Sequence, residues 1–271
     1  MIPKIKFKNE EIPIFVLGTW NIRNEKNMIE TIRYGILKGL NYIDTAEIYG
    51  NAEEIIGKIV KEFNREKIFI TTKIPPYKAS FKETILSCEN SLKRLKTDYI
   101  DLYLLHWYEK IYPLEETFSA FLKLIDEKKI RYAGVSNFAV PELEKAIDIL
   151  PNLKIFNNQV KYNLDNFYYI EEKLLPFCEK KEILISGYSP FWTGKIPKEN
   201  KNWKIIEKIS KKYNATPFQI ILNFLSRKRK IFIIFKTENI EHLKENLSSL
   251  NFEIEEEDIK KIFEEFSKQK I

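Results

Sequence analysis

The chain has 271 residues, 44% of them hydrophobic and 31% charged, and a formal net charge of +6 from interleaved acidic and basic residues. This size allows one α/β barrel or two ordinary domains, and because no Pro-, Gly- or Ser-rich tract marks a linker, we favour a single domain over residues 1–271. The lack of a long apolar run and of a signal-like N-terminus argues against membrane-spanning and secreted classes and predicts a cytoplasmic protein.

In chain order, residues 2–14 predict a short N-terminal hairpin, after which apolar runs rich in Ile, Val, Phe and Tyr alternate with segments of helical period. Eight runs predict strands, at residues 15–18, 41–43, 68–72, 100–105, 132–135, 155–159, 183–187 and 231–235. Six intervening segments predict helices, at residues 28–38, 52–62, 81–95, 114–128, 142–150 and 170–180.

The alternation of continuous apolar strands with helices predicts a parallel sheet covered on both faces. Eight such units favour a closed (β/α)8 TIM barrel, an α/β fold, here with the short N-terminal hairpin ahead of it. The alternative is an open doubly wound sheet, whose nucleotide-binding members carry G-x-G-x-x-G or G-x-x-x-x-G-K-[ST]. Neither pattern occurs in the chain, so the barrel is the better prediction.

Two helix starts have the spacing of a capping box. Asn51 precedes Glu54 by three residues, and Thr216 precedes Gln219 by three. Pro217 then occupies the first helical position, where a missing N–H costs nothing. We therefore expect helices to begin after Asn51 and after Thr216.

The remaining signals are structural. The basic run SRKRK at residues 226–230 lacks the neighbouring aromatic or basic clusters of a nucleic-acid site, so it predicts a solvated helix end. The acidic run at residues 253–258 predicts helix-start carboxylates. Cys88 and Cys178 fall in predicted helices and are expected to be thiols without a redox task, since two cysteines are too few for a disulfide framework. Two histidines likewise argue against a metal site of several imidazoles.

Polar side chains follow the predicted strands at their carboxyl ends. In strand order they are Asp44, Lys73, His106, Ser136 with Asn137, Gln159 and Lys236. In a barrel these positions surround one mouth, where the active sites of this fold lie. Tyr49, on the loop after the second strand, can join them.

Four of these residues can move a proton together. A cation at Lys73 would lower the pKa of the Tyr49 phenol, and Asp44 would keep Lys73 charged and oriented. His106 could hydrogen-bond a substrate oxygen. Each residue alone has a structural explanation: a turn or cap for Asp44, a surface amine for Lys73, a core imidazole for His106 and loop packing for Tyr49. Their convergence predicts protonation of an oxygen whose carbon receives a hydride from a cofactor.

Several segments resemble the aldo-keto reductase family in order along nearly the whole chain. They are YIDTAEIYGNAEEIIG at 42–57, TTK at 71–73, SLKRLKTDYIDLYLLHW at 91–107, GVSNF at 134–138, NQV at 158–160, GYSPF at 187–191 and IFKTENIEHLKEN at 234–246. The resemblance implies a barrel that binds NADP(H) without a Rossmann fold and reduces aldehydes or ketones. It implies that Tyr49 is the general acid, that Lys73 and Asp44 tune it, and that His106 orients the carbonyl.

The resemblance also implies a cofactor site. Its nicotinamide end would comprise Gly18, Thr19, Trp20, Asp44, Ser136, Asn137, Gln159 and Tyr188, the last stacking on the ring. Its pyrophosphate and adenosine end would comprise Ser189, Phe191, Thr193, Lys236, Thr237, His242, Glu245 and Asn246, with Lys236 and Thr237 at the 2′-phosphate and Glu245 and Asn246 at the adenine. The substrate would contact Trp20, Tyr49, His106 and Trp107.

Some residues depart from the family pattern. His242 stands where arginine is common, and because a neutral imidazole does not copy a guanidinium against a phosphate, NAD(H) use is an alternative to NADP(H). Bulky Phe191 and Trp192 replace the usual Leu-Gly, which is expected to alter the loop over the pyrophosphate. IPPY at 74–77 stands where the family often has an aromatic-containing turn, and Tyr108 stands where proline is usual. We expect the long C-terminal loop of larger members to be short or absent.

The sequence thus predicts NADPH-dependent, reversible reduction of a small-molecule carbonyl by a monomer or weak dimer with no nucleic-acid, membrane or metal partner. One alternative is a cofactor-binding regulatory or sensor subunit with little turnover, which tight binding without catalysis would reveal. A barrel of unrelated chemistry, such as a lyase, would not bind nicotinamide nucleotides.

Overall fold

Eight parallel strands close into a barrel in the computed structural model, which describes residues 2–7, 10–194 and 202–267. The barrel strands are β3 (Phe15–Gly18), β4 (Tyr42–Asp44), β5 (Phe69–Ile74), β6 (Ile100–Leu105), β7 (Ile130–Ser136), β8 (Ile155–Lys161), β9 (Leu184–Tyr188) and β10 (Ile231–Phe235). They follow one another around the barrel in chain order, and β10 pairs with β3 to close it. The predicted barrel is confirmed, and the open sheet is excluded.

The helices surround the barrel. They are α1 (Glu25–Leu37), α2 (Ala52–Val60), α3 (Phe81–Leu95), α4 (Leu114–Asp126), α5 (Val140–Ile149), α6 (Phe167–Tyr169), α7 (Leu175–Lys180), α8 (Trp203–Lys212), α9 (Pro217–Ser226), α10 (Ile240–Ser248) and α11 (Glu256–Ser267). None of the described helices has the length and apolarity needed to span a bilayer. As expected, three acidic residues occupy the first turn of α11, and both cysteines are buried, in α3 and α7.

The predicted hairpin is also present, as β1 (Lys4–Phe7) paired antiparallel with β2 (Glu10–Pro13). Its Glu10 accepts a hydrogen bond from Tyr132 at 2.9 Å and pairs with Arg131. Arg131 and Arg65 both bind the buried Asp101 carboxylate, each at 2.7 Å. This cluster at the amino ends of the strands fastens the hairpin to that end of the barrel.

The segment predicted as one helix at 170–180 is divided. A π-helical turn, Ile170–Leu174, separates α6 from α7. Leu175 donates to the carbonyl of Ile170, five residues back, and Pro176 has no N–H to continue the regular α-helical ladder. The wider π-helical turn therefore accommodates the proline.

The two predicted capping boxes have different outcomes. Thr216 and Gln219 form theirs, with Thr216 N–H donating to Gln219 Oε1 at 2.7 Å. Asn51 begins α2, but its side chain does not cap the helix, and that part of the prediction is wrong. Asn51 has a φ of −89° and a ψ of 14°, not the extended backbone of a capping residue, and its side chain is directed to Glu25 on α1 through an Nδ2 hydrogen bond.

The basic run at 226–230 does lie at a helix end, since α9 stops at Ser226, but its first arginine is not solvated. Arg227 is 15% exposed and binds the buried Glu171 at 2.6 Å, and Lys228 binds the same carboxylate at 2.9 Å. Glu171 lies in the π-helical turn, so the run joins two neighbouring helical segments. Two of its four cations share one buried carboxylate, and residues 228–230 are exposed, as a solvated helix end requires.

Candidate active site at the carboxyl end of the barrel

A cavity of about 790 Å³ opens at the carboxyl ends of the barrel strands. Sixteen of the residues predicted for the site line it: Gly18, Thr19, Trp20, Asp44, Tyr49, His106, Trp107, Ser136, Asn137, Gln159, Tyr188, Ser189, Phe191, Thr193, Lys236 and His242. Residues not predicted also line it, among them Asn21, Arg23, Ile48, Phe218 and Glu238. The cavity has the size and mixed lining of a small-molecule or cofactor site.

Lys73 lies beneath this cavity as part of a buried ion pair. Strand β5 carries it into the barrel interior, where it is fully buried and donates to Asp44 Oδ2 at 2.8 Å and to the Thr45 carbonyl at 2.7 Å. Burial lowers the pKa of Lys73, and the Asp44 carboxylate opposes that change by favouring the ammonium form. The predicted pairing of Asp44 with Lys73 is therefore present.

A chain of hydrogen bonds extends from this pair across the barrel mouth. Asp44 Oδ1 accepts from Gln159 Nε2 at 2.7 Å, and the Gln159 carbonyl accepts from Ser136 Oγ and from the Asn137 N–H, both at 2.8 Å. Tyr188 Oη donates to Asn137 Oδ1 at 2.8 Å. Asn137 has a φ of +65°, a left-handed conformation that asparagine tolerates better than most residues. The network fixes these side chains relative to one another.

Tyr49 and His106 meet at the cavity wall. Tyr49 Oη lies 3.5 Å from His106 Nε2, at the outer limit of a hydrogen bond, and the two rings are nearly perpendicular at 72°. A distance this long leaves both polar atoms available to a third group. The site thus presents a phenol and an imidazole nitrogen side by side.

The pKa of Tyr49 does not follow the sequence-based expectation. Burial raises it above the ordinary 10.0, and the negative charge of Asp44 raises it further. Lys73 Nζ lies 5.0 Å from the centre of the Tyr49 ring, but its hydrogen bonds go to Asp44 and Thr45. The net shift of this pKa is therefore upward and not downward as the sequence suggested, because desolvation and the Asp44 charge determine its direction. Tyr49 is protonated at neutral pH.

His106 is neutral at physiological pH. Burial lowers its pKa from 6.5 to about 3, and the positive charge of Lys73 contributes in the same direction. Its Nδ1 is buried without a hydrogen-bond partner among the described residues, while Nε2 faces Tyr49. An uncharged imidazole at this position can make a hydrogen bond without adding charge to the cavity.

This burial predicts a pH dependence of stability. Because the pKa of His106 is lower in the folded state than in the unfolded chain, protons bind the unfolded state first, and stability present above about pH 6.5 is lost as the pH falls toward 3. We expect the loss of unfolding free energy between pH 7 and pH 4.5 to be smaller in His106→Gln than in wild type, as measured by urea denaturation. Equal losses would contradict the assignment. The matched control, His242→Gln, removes an exposed histidine and should leave the wild-type loss unchanged.

At the other end of the cavity lies a second polar cluster. Lys236 Nζ donates to the Asn21 carbonyl at 3.0 Å and pairs with Glu238. Glu238 in turn accepts from the backbone N–H groups of Arg23 at 2.9 Å and Asn24 at 2.8 Å. Sequence reasoning placed Lys236 here but missed Glu238, although a carboxylate two residues beyond a predicted phosphate-binding lysine was a visible signal.

Three residues predicted for the adenosine end do not line the cavity. Thr237 is buried and accepts from Asn239 N at 3.1 Å, near the start of α10. Glu245 Oε1 accepts from Thr216 Oγ1 at 2.6 Å, and Asn246 is buried with its carbonyl accepting from Ser249. The Glu245 side chain is thus directed to Thr216 at the start of α9, and the contacts of Thr237, Glu245 and Asn246 with a phosphate or an adenine stay predictions. His242 is the predicted α10 residue that reaches the cavity.

The bulky pair at 191–192 anchors the loop beside the cavity. Phe191 packs edge-on against Phe218 at the start of α9, with ring centres 5.0 Å apart. Trp192 Nε1 donates to Asp165, on the loop after β8. At the opposite rim, Trp20 is 52% exposed and Ile48 42% exposed. The cavity therefore has an aromatic and apolar rim, as predicted for Trp20 and Trp107.

Comparison with known proteins gives a consistent result. The sequence pattern described as the Aldo/keto reductase family matches residues 15–265. The Escherichia coli methylglyoxal reductase YeaE is 33% identical over 92% of this chain and 90% of its own length. The Bacillus subtilis glyoxal reductase is 33% identical over 93% of this chain and 88% of its own length.

Solved structures agree with these sequence matches. The thermostable aldo-keto reductase Tm1743, in complex with epalrestat, superposes with a TM-score of 0.89 at 38% identity, covering 98% of this chain and 99% of its own. A Klebsiella pneumoniae aldo/keto reductase in complex with NADP and acetate superposes at 0.88 with 31% identity, covering 98% and 96%. On the fold, the site and these matches, the chain belongs to the aldo/keto reductase family, whose members are oxidoreductases.

Proposed function

We propose that this protein reduces the carbonyl group of a small aldehyde or ketone to the alcohol, reversibly, with a reduced nicotinamide cofactor. The observation that carries the proposal is the convergence of Tyr49 and His106 on one cavity wall, above the buried Lys73–Asp44 pair. A protonated phenol beside a neutral imidazole suits an oxygen that gains negative charge and then a proton. The family membership gives the reductase class independently of this geometry.

The residues present fit a nicotinamide cofactor, NADP(H) by analogy with the Klebsiella pneumoniae neighbour. Amide and hydroxyl groups of Ser136 and Asn137 reach the cavity as hydrogen-bonding partners for a carboxamide, and the Tyr188 ring forms a flat wall beside them. Lys236, in the loop before α10, supplies positive charge for a phosphate. When bound, the cofactor would supply the hydride.

The side chains of this protein then have separate roles. Tyr49 Oη and His106 Nε2 hydrogen-bond the carbonyl oxygen, which orients and polarises it. Tyr49 donates its proton to that oxygen as negative charge develops there, and the raised pKa of Tyr49 guarantees that the proton is present at neutral pH. Lys73, 5.0 Å from the ring centre, stabilises the resulting phenolate, and Asp44 holds Lys73 in position.

We propose small aldehydes, dicarbonyls and keto-sugars as the substrate class, with 2-oxoaldehydes the first to test. Support comes from the two relatives named methylglyoxal and glyoxal reductase and from the aromatic rim, which suits compact substrates. The test is loss of reduced-nicotinamide absorbance with methylglyoxal and with a reactive aromatic aldehyde. Aldehyde-dependent loss supports the reductase. Tight cofactor binding with no turnover on any carbonyl would instead favour a regulatory subunit.

The rate of reduction should depend little on pH through neutrality. Because burial raises the pKa of Tyr49, the acid form persists, and we expect the rate to fall only above about pH 10, the ordinary tyrosine range. The measurement is kcat against pH from 6 to 10.5, with folding followed by circular dichroism over the same range. A fall centred near pH 8 in folded protein would contradict the assignment. The cytoplasmic location and the monomer or weak dimer stay predictions from the sequence.

A further inference from the structure

Glu238 places a carboxylate inside the part of the cavity that should receive the ribose of the adenosine. It lines the cavity together with Lys236, Arg23 and His242, and its side chain is only 14% exposed. Both of its oxygens are engaged, one with Lys236 and the Arg23 N–H and the other with the Asn24 N–H. The carboxylate is therefore held in place and is not a freely moving surface group.

This arrangement changes the charge that a phosphate would meet. Lys236 is the lysine expected to bind a 2′-phosphate, but its ammonium already pairs with Glu238 and donates to the Asn21 carbonyl. Arg23 and His242 complete the polar groups at this end, and the exposed imidazole of His242 stands where a guanidinium would have strengthened phosphate binding. A dianionic phosphate must therefore displace Glu238 from Lys236 or lie beside its negative charge.

A ribose without the phosphate meets a better partner. Its hydroxyls donate hydrogen bonds, and a carboxylate is a strong acceptor of such bonds. Acidic side chains recognise the free 2′-hydroxyl of NAD in the unrelated dinucleotide-binding fold for the same reason. The chemistry at Glu238 thus favours a diol over a phosphate.

Resting on the proposed function, we infer that Glu238 is a specificity-determining residue that lowers the preference for NADP(H) and admits NAD(H) as a cofactor of comparable affinity. Glu238 accepts the ribose hydroxyls of NAD(H) and competes with the 2′-phosphate of NADP(H) for Lys236. His242 also lowers the preference for NADP(H), because it stands where an arginine would offer a guanidinium to the phosphate. The protein is then a reductase that draws on either nicotinamide pool.

Calorimetric titration of the whole protein with NADPH and with NADH tests this without relying on turnover. We expect dissociation constants within about tenfold of each other for wild type. The fragments 2′,5′-ADP and 5′-ADP should follow the same order, which isolates the ribose end from the nicotinamide end. A preference for NADPH above about 100-fold in wild type would overturn the inference.

Glu238→Gln keeps the side-chain size and one oxygen acceptor but removes the negative charge. The ratio of NADH to NADPH dissociation constants should rise by about tenfold or more in this variant, because Lys236 becomes free for the phosphate. Glu241→Gln is the matched control: it makes the same charge change on α10 at an exposed residue paired with Lys244, outside the cavity lining. Its ratio should stay within about twofold of wild type.

The outcomes separate the two proposals. If both cofactors bind and Glu238→Gln leaves their ratio unchanged, the inference fails while the reductase assignment stands. If Glu238→Gln weakens both cofactors equally, Glu238 only supports the loop at residues 23 and 24, and the inference also fails. If neither nucleotide binds wild type, the proposed function fails first and the inference fails with it.

Discussion

Replacement of Tyr49 by phenylalanine should lower kcat by about 10²–10⁴-fold, the range that a positioned general acid contributes. The variant loses one hydroxyl oxygen and keeps the ring that packs against His106 and whose centre lies 5.0 Å from Lys73 Nζ. Cofactor affinity and stability should therefore stay near wild type. Steady-state kinetics with an aldehyde, together with calorimetric titration of the cofactor, would measure both effects on the same preparation.

Tyr168→Phe is the matched control for this variant. It removes the same hydroxyl from a tyrosine that is 45% exposed and outside the cavity lining, so its kcat should equal that of wild type. Turnover that is indifferent to Tyr49→Phe would refute the proton-donor role. Loss of turnover accompanied by loss of cofactor binding would point to a collapsed site and would count against the specific role as well.

Lys73→Met should destabilise the fold and abolish turnover together. The substitution leaves the buried Asp44 carboxylate without its ammonium partner, while the hydrogen bond from Gln159 stays. Breaking a buried ion pair in this way costs about 3–5 kcal/mol of unfolding free energy. Turnover should also fall because no cation remains to stabilise the Tyr49 phenolate. Denaturant unfolding and kinetics would measure the two losses.

A second substitution separates stability from chemistry. Asp44→Asn combined with Lys73→Met removes both charges, so much of the lost stability should return while turnover stays low. Lys58→Met, which breaks the pair of exposed side chains Lys58 and Glu25, should change stability little. If Lys73→Met unfolds at the same denaturant concentration as wild type, the buried pair does not have the energetic role assigned to it.

Strong local patterns predicted the fold well. Strand β6 and helix α3 have the predicted bounds, because a continuous apolar run and a clear 3.6-residue period leave few alternatives. The interrupted helix around Pro176 was not predicted, since the period continues through the π-helical turn and only the backbone hydrogen bonds reveal it. The missing side-chain cap at Asn51 was not predicted, because it follows from the backbone angles of that residue, which the spacing to Glu54 does not reveal.

The features of the site also divide into those that the sequence predicted and those that it did not. The residues at strand ends were predictable because barrel topology alone brings them to one mouth. The pKa of Tyr49 was not, because it depends on how deeply the loop buries the phenol relative to Asp44 and Lys73. Glu238 was missed because the Arg23 and Asn24 N–H groups that hold its carboxylate lie 215 and 214 residues away in sequence, and the nearby Lys236 alone did not reveal that arrangement. The adenine contacts of Glu245 and Asn246 stay predictions, because the facing of α10 depends on packing that one sequence does not determine.

The Asp101 cluster and the hairpin give the barrel two ends with different tolerance to change. The buried Asp101 carboxylate binds Arg65 and Arg131 far from the cavity, and Arg131 continues the contact to Glu10 of the hairpin. Substitutions at the amino end should change the amount of folded protein in a cell. The Michaelis constant of the protein that does fold should stay that of wild type. Loops at the carboxyl end of the barrel can vary in length and composition and so accept new substrates, while the contacts at the amino end stabilise the fold. In a sequence library, abundance and selectivity should therefore behave as separable traits.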